Sequence, residues 1–252
     1  MTTNRILMTI ADGIADVRLN RPAKRNALDM AMFEAIAAAI DDLGGRDDVR
    51  VVVLSGEGGA FCAGLDLSAI EDVARINLRE RTHGAANLIQ QAAWGWHILP
   101  MPVIAAVDGF ALGGGLQIAL GADIRIVAPD AKLAILEAKW GLVPDTAGTV
   151  LLDGLVRNDV LRELTYTARI VDGREAVALG LATRVADSPW ESAMALARTI
   201  AAQSPPTIRA DKRLLTVAGP EIEARLLAES IEQEALIATA VDRMRQARQP
   251  AQ

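Results

Sequence analysis

Two glycine-rich segments carry the residue types and spacing most able to do chemistry: residues 58–67 (GGAFCAGLDL) and residues 108–117 (DGFALGGGLQ). Each follows a short apolar run, VVVL at 51–54 and PVIAAV at 102–107, and each leads into a pattern that reads as helix. A strand-to-helix junction leaves the first N–H groups of the helix unpaired, at the positive end of its dipole. Glycine lets such a backbone approach a ligand closely. Two junctions facing one another would offer two N–H donors to one oxygen, an oxyanion hole, which serves enolate or tetrahedral-oxyanion formation at a carbonyl. Glycine-rich turns also serve as plain tight turns or phosphate cradles. Here Gly109, Gly113, Gly114 and Gly115 do not spell the dinucleotide fingerprint, and no Walker-type Gly-Lys-Ser/Thr occurs.

Acid–base candidates lie just beyond. Glu137 closes the apolar run KLAIL at 132–136, where a carboxylate without a partner is unfavourable. It is either a functional group or one half of an ion pair with Lys139 or Lys132. Asp145 follows Pro144 in GLVPDTAGT, placed either to handle protons or to cap the next helix. Lys24 and Arg25 sit in a basic, proline-containing loop, which suits phosphate binding as well as a solvated surface. Cys62 reads as a small core residue, and His97 and Trp96 as core or pocket lining.

The elements that must position these groups alternate. Residues 5–10 and 14–19 read as strands around the turn Ala11-Asp12-Gly13. Asp29 caps a helix through about Leu43, with Met32, Ile36 and Ile40 at helical spacing. The runs at 51–54 and 102–107 read as strands covered on both faces. The stretch from Leu67 to Leu99 is unevenly helical, with charge concentrated at 71–81. Residues 123–128, 132–136 and 181–186 read as further strands, and 190–203, 205–217 and 220–247 as helices. This is an α/β chain with a core over 1–188 and a helical region over 189–252. In the last helix Ile222, Leu226, Ile231 and Ile237 predict an apolar face for a neighbouring subunit.

Composition excludes several functions. Of 252 residues 51% are hydrophobic but only 3% aromatic, and the net charge is −6. That gives an aliphatic core, no basic footprint for nucleic acid and no stacking platform for single strands. One cysteine and two histidines leave no metal site and no internal disulfide, and point to a reducing, cytoplasmic setting. No run approaches the roughly 18 apolar residues of a membrane span, and the N-terminus lacks a signal-peptide pattern.

Several segments in one order, NRPAKRNALD at 20–29, FCAGLDL at 61–67 and PVIAAVDGFALGGGLQIALGADIRIVAPDAKLAILEAKWGLVPDTAGT at 102–149, resemble the crotonase (enoyl-CoA hydratase/isomerase) superfamily over essentially the whole chain. The resemblance implies a crotonase-like ββα superhelix with a helical C-terminal region, assembled as a trimer or a dimer of trimers, and an acyl-CoA thioester as substrate. No cofactor is implied, because coenzyme A is part of the substrate. It implies oxyanion donors at the N–H groups of Leu65 and Gly114. It places Lys24, Arg25, Ala27, Leu28, Ala63, Asp66, Leu67 and Ser68 along the coenzyme A moiety, and Lys212 and Arg213 near its phosphates.

Three acid positions distinguish the members of that superfamily, and here they hold Gln117, Glu137 and Asp145. Hydratases use glutamates at the first two, and Gln117 cannot accept a proton. Dienoyl isomerases carry acids at all three. Simple enoyl isomerases need only the glutamate at 137, so the resemblance favours a double-bond shift. Hydration by Glu137 with Asp145, or a weakly active acyl-CoA binder, are the alternatives. Dehalogenation is rejected, because Ile89 and Gln90 stand where the dehalogenase has Trp and His.

Overall fold

A computed structural model of the chain describes residues 4–216 and 218–248. Strands β1 (Ile6–Ala11) and β2 (Ile14–Leu19) form an antiparallel hairpin. Asp12 and Gly13 at its turn have φ of 53° and 77°, the left-handed pair that matches the twist of flanking strands. Helix α1 (Met30–Gly44) starts where Asp29 accepts the Met32 N–H at 2.9 Å, and buries Met32, Ile36 and Ile40.

β2 pairs in parallel with β3 (Val51–Gly56), and β3 with β4 (Val103–Val107). A two-stranded parallel sheet follows, β5 (Phe110–Leu112) with β7 (Lys132–Ala134). The main sheet is completed by β6 (Ile124–Val127) and β8 (Arg184–Val185), giving the order β1-β2-β3-β4-β6-β8. All residues of β4 are buried, because helices cover both faces. One face meets α1 and α3 (Leu88–Ile98) in the main core. On the other, Val51, Val53, Ile104 and Ile126 pack on Ala193, Ala197 and Ala201 of α9 (Pro189–Ala201).

The remaining helices are α2 (Ile70–Val73), α4 (Gly114–Leu120), α5 (Glu137–Trp140), α6 (Gly148–Leu152), α7 (Asn158–Thr167), α8 (Gly173–Leu179), α10 (Pro205–Leu215) and α11 (Pro220–Arg248). Three sequence expectations change. Residues 110–112 are a strand rather than part of a turn. The run expected as a strand over 132–136 ends at Ala134, so that Glu137 opens a helical turn. The charged stretch before α3 is irregular, pinned by the Arg81 guanidinium on the carbonyls of Leu78 and Ala85 and on Gln90.

Helix α11, 29 residues and roughly 43 Å at 1.5 Å per residue, uses within the chain three of the four residues expected on a face for a neighbour. Ile222, Leu226, Ile237, Val241 and Met244 are buried within the chain, and the helix packs on α2, α5 and α6. Ile231, expected on that face, is 40% exposed. No helix among the described residues is long and apolar enough to cross a membrane.

Candidate active site

The two glycine-rich segments are zipped together by a short parallel bridge. The Cys62 N–H donates to the Phe110 carbonyl at 2.8 Å, and the Leu112 N–H donates to the Cys62 carbonyl at 3.0 Å. Two residues further on, a side chain on Gly64 would meet the Leu112 carbonyl at 2.5 Å and the Gly114 nitrogen at 3.8 Å. Only glycine fits there, and its φ of 85° is itself one that other residues rarely adopt.

Leu65 does not lie at a helix N-terminus, contrary to the reading of its segment. It bridges Leu28 in parallel: the Leu28 N–H donates to the Gly64 carbonyl at 2.8 Å, and the Asp66 N–H to the Leu28 carbonyl at 2.9 Å. In such a bridge Leu28 uses the groups flanking residue 65, so the N–H of Leu65 points away from it. Gly114 is the first residue of α4 after Gly113 (φ 52°), where helix geometry leaves the N–H unpaired. Neither N–H has an acceptor among the described residues. Both residues line one cavity of about 70 Å³, together with Ala63, Leu67, Trp140, Leu142, Met244 and Glu137.

Glu137 is buried, 8% exposed. Its Oε1 accepts from Gln117 Nε2 at 2.6 Å, and its Oε2 is buried without a hydrogen-bond partner. Neither Lys139 nor Lys132 pairs with it among the described ion pairs. Burial pushes its carboxyl up from 4.5 to about 7, with the Gln117 amide pulling only partly the other way. Gln117 is engaged at both ends, because its Oε1 accepts the Thr146 N–H at 2.9 Å. The two bonds fix its amide so that the NH2 faces Glu137.

Asp145 is 7% exposed and does not cap α6: the position before that helix is Ala147, and no side chain caps it. Burial, then the neighbouring Glu229 and Glu137, raise its carboxyl well above the usual range. It is not among the residues lining the small cavity. Sequence reasoning missed Glu229 of α11, a buried carboxylate bonded to the N–H groups of Ala147 and Thr149. Trp140, Leu142 and Met244 were also missed. Asn26 was missed as well, and its buried amide ties the basic loop to the carbonyls of Glu57 and Ala60.

The remaining candidates divide. Ala27 and Leu28 are buried behind the turns, while Lys24 and Arg25 are exposed beside them, Arg25 lying 4.9 Å over the Phe110 ring. Asp66 turns inward. Burial would raise its carboxyl, but the Ser68 N–H and hydroxyl and the Arg21 guanidinium 2.8 Å away hold it down at about 2. That contact is an ion pair without hydrogen-bond alignment. Lys212 was expected near phosphates, but it is buried and its Nζ lies 2.5 Å and 2.6 Å from the two carboxylate oxygens of Asp123. Its charge is used internally. It lines, with His97, a separate cavity of about 850 Å³ that shares no residue with the smaller one. Of the groups described above, the larger cavity is lined by Lys212, Asp123 and His97, whereas Leu65, Gly114 and Glu137 line the smaller. Cys62 is buried, and its thiol is pushed up to about 12 by burial.

A carboxyl near neutrality beside two free N–H donors can move a proton at the carbon next to a polarised carbonyl. It also makes stability depend on pH. The folded state keeps the Glu137 proton up to about 7, while the unfolded chain loses it near 4.5. Stability therefore falls as pH rises through that window, by on the order of 3 kcal/mol, and levels off above it. Urea midpoints compared at about pH 5 and about pH 8 should show a smaller loss in Glu137→Gln than in the parent; equal losses would contradict the raised value. Asp145 and Glu229 shift in the same direction, so it is the difference between the two proteins that reports Glu137.

Known proteins share this arrangement of chain. The family model described as enoyl-CoA hydratase/isomerase matches residues 9–244. The chain is similar to the mitochondrial methylglutaconyl-CoA hydratase of Mus musculus, at 34% identity over 207 residues, 79% of this chain and 65% of that protein. It therefore spans just under two thirds of that relative's length. It is also similar to the crystal structure of an enoyl-CoA hydratase/isomerase from Mycobacterium paratuberculosis, with a TM-score of 0.85 and 25% identity, covering 97% of this chain and 98% of that one. An enoyl-CoA hydratase from Mycobacterium tuberculosis H37Rv matches with a TM-score of 0.75 and 31% identity over 91% of this chain and 89% of that one.

Proposed function

The chain belongs to the enoyl-CoA hydratase/isomerase family, and from that premise we propose that it shifts a double bond within an enoyl-CoA thioester by proton transfer through one carboxyl. The thioester oxygen accepts from the N–H groups of Leu65 and Gly114. Glu137 Oε2 takes a proton from the α-carbon of a 3-enoyl thioester. The electron pair passes through the diene system to that oxygen, where the two donors stabilise the dienolate. Glu137 then returns the proton at the γ-carbon, leaving the 2-enoyl product and the carboxylate restored. A base near neutral pKa is suited to both transfers.

One observation carries this reading: Glu137, whose Oε2 is buried and has no hydrogen-bond partner, lines the same cavity as Leu65 and Gly114. Hydration in its two-carboxylate form needs a second acid beside the water. Gln117 is committed to Thr146 and Glu137, and Asp145 is off the cavity lining. Incubation with 3-enoyl and 2-enoyl thioesters tests the choice. Conversion of the 3-enoyl to the conjugated compound is expected; rapid addition of water to the 2-enoyl compound without migration would establish the hydratase instead. Tight binding with neither reaction, and no deuterium exchange at the α-carbon, would establish a binder.

A further inference from the structure

We propose that Glu229 is a positioning residue for Glu137, holding residues 146–149 in the backbone arrangement that lets Thr146 fix Gln117 and Gln117 fix the base. The inference rests on the proton-transfer reading above. Glu229 comes from α11, far along the chain, and is 5% exposed. Its Oε1 accepts the Thr149 N–H at 2.9 Å and the Thr149 hydroxyl at 2.5 Å. Its Oε2 accepts the Ala147 N–H and the Gln90 amide, both at 3.1 Å. Four donors on one carboxylate make a rigid anchor, since bonds to an ionised acceptor are the strong ones.

The anchored segment has a reason to need one. Ala147 is fully buried with φ 62° and ψ 17°, a left-handed conformation that an alanine keeps only when its surroundings enforce it. The residue before it, Thr146, donates the N–H that holds Gln117 Oε1 at 2.9 Å, and Gln117 Nε2 holds Glu137 Oε1 at 2.6 Å. If Ala147 relaxes, the Thr146 N–H turns, and Gln117 loses the contact that decides which end of its amide faces Glu137. Misplacing a catalytic group by about 1 Å can cost about 100-fold in rate.

Glu229→Gln in the full chain tests this, assayed on a 3-enoyl thioester. The amide keeps the size but sets an NH2 against backbone donors. The expected result is kcat lower by about 10-fold to 100-fold with KM within about 3-fold. Adding Ala147→Gly, which allows the left-handed backbone without strain, should recover several-fold in kcat. Unchanged kcat in the folded variant, kcat and KM changing together, or no recovery on adding Ala147→Gly would each overturn the proposal. If Glu229→Gln does not fold, Thr149→Val removes one donor alone; it should lower kcat at constant KM, and an unchanged kcat would overturn the proposal. Amide hydrogen exchange over 146–149 separates this inference from the reaction itself. Faster exchange in Glu229→Gln supports the anchor even if the parent proves inactive towards enoyl thioesters, and unchanged exchange refutes it.

Discussion

Glu137→Gln should reduce double-bond migration by on the order of 1,000-fold to 10,000-fold, the upper range for loss of a general base, while KM for the enoyl thioester stays within a few-fold. The substitution is nearly isosteric, and its side-chain carbonyl still accepts from Gln117 Nε2, so the cavity keeps its shape. What is lost is the only titratable group among the described residues that line that cavity. Asp145 and Gln117 cannot take over. The first is off the lining, and the second is held between Thr146 and residue 137. Steady-state kinetics on the 3-enoyl thioester, with deuterium exchange at the α-carbon followed by mass spectrometry, provide the measurement. A variant retaining a tenth of the parent's activity would mean that another group moves the proton.

Gly114→Pro should cost about 100-fold to 1,000-fold in kcat, the range seen when one oxyanion donor is removed. Proline deletes the N–H and sets a ring carbon in place of its hydrogen. Position 114 is the first residue of α4, where proline is accepted because that N–H has no helical partner. A Cβ there would lie 3.1 Å from the end of the Leu28 side chain, which must give by a few tenths of an ångström and is flexible enough to do so, and 3.7 Å from the Thr146 hydroxyl. Thermal melting should therefore move little, and a folded variant with undiminished kcat would remove Gly114 from the mechanism.

The parts of the fold legible in the sequence are those set by local chemistry. Asp12-Gly13 marked a hairpin because both residues tolerate positive φ. Asp29 marked a helix start because its side chain reaches a backbone N–H three residues on. The runs at 51–54 and 102–107 marked buried strands because apolar residues filled both faces. What escaped depends on partners distant in the chain. The free N–H of Leu65 follows from a bridge to Leu28, not from the helix start its glycines suggested. Strand β5 forms because Lys132–Ala134 on one side and Cys62 on the other lie beside it. Glu229 is one of several glutamates on a solvent-rich helix, and nothing in their spacing marks the one bonded to Ala147 and Thr149. Lys212 looked free for phosphate because its partner, Asp123, lies far back in the chain, between α4 and β6. The acids at 137 and 145 looked alike in sequence, and only the cavity separates them: Glu137 lines it, with one carboxyl oxygen unpartnered, while Asp145 is buried off its lining.

The most direct test of the polarised carbonyl is an infrared difference spectrum of a bound enoyl thioester carrying carbon-13 at its carbonyl. Two N–H donors on that oxygen should lower the stretching frequency on binding to the parent protein, and Gly114→Pro, which leaves only the Leu65 donor, should return it part of the way to the value in water. A carbonyl band in the parent at the same frequency as in water would contradict the oxyanion site, and with it any enolate chemistry at Glu137.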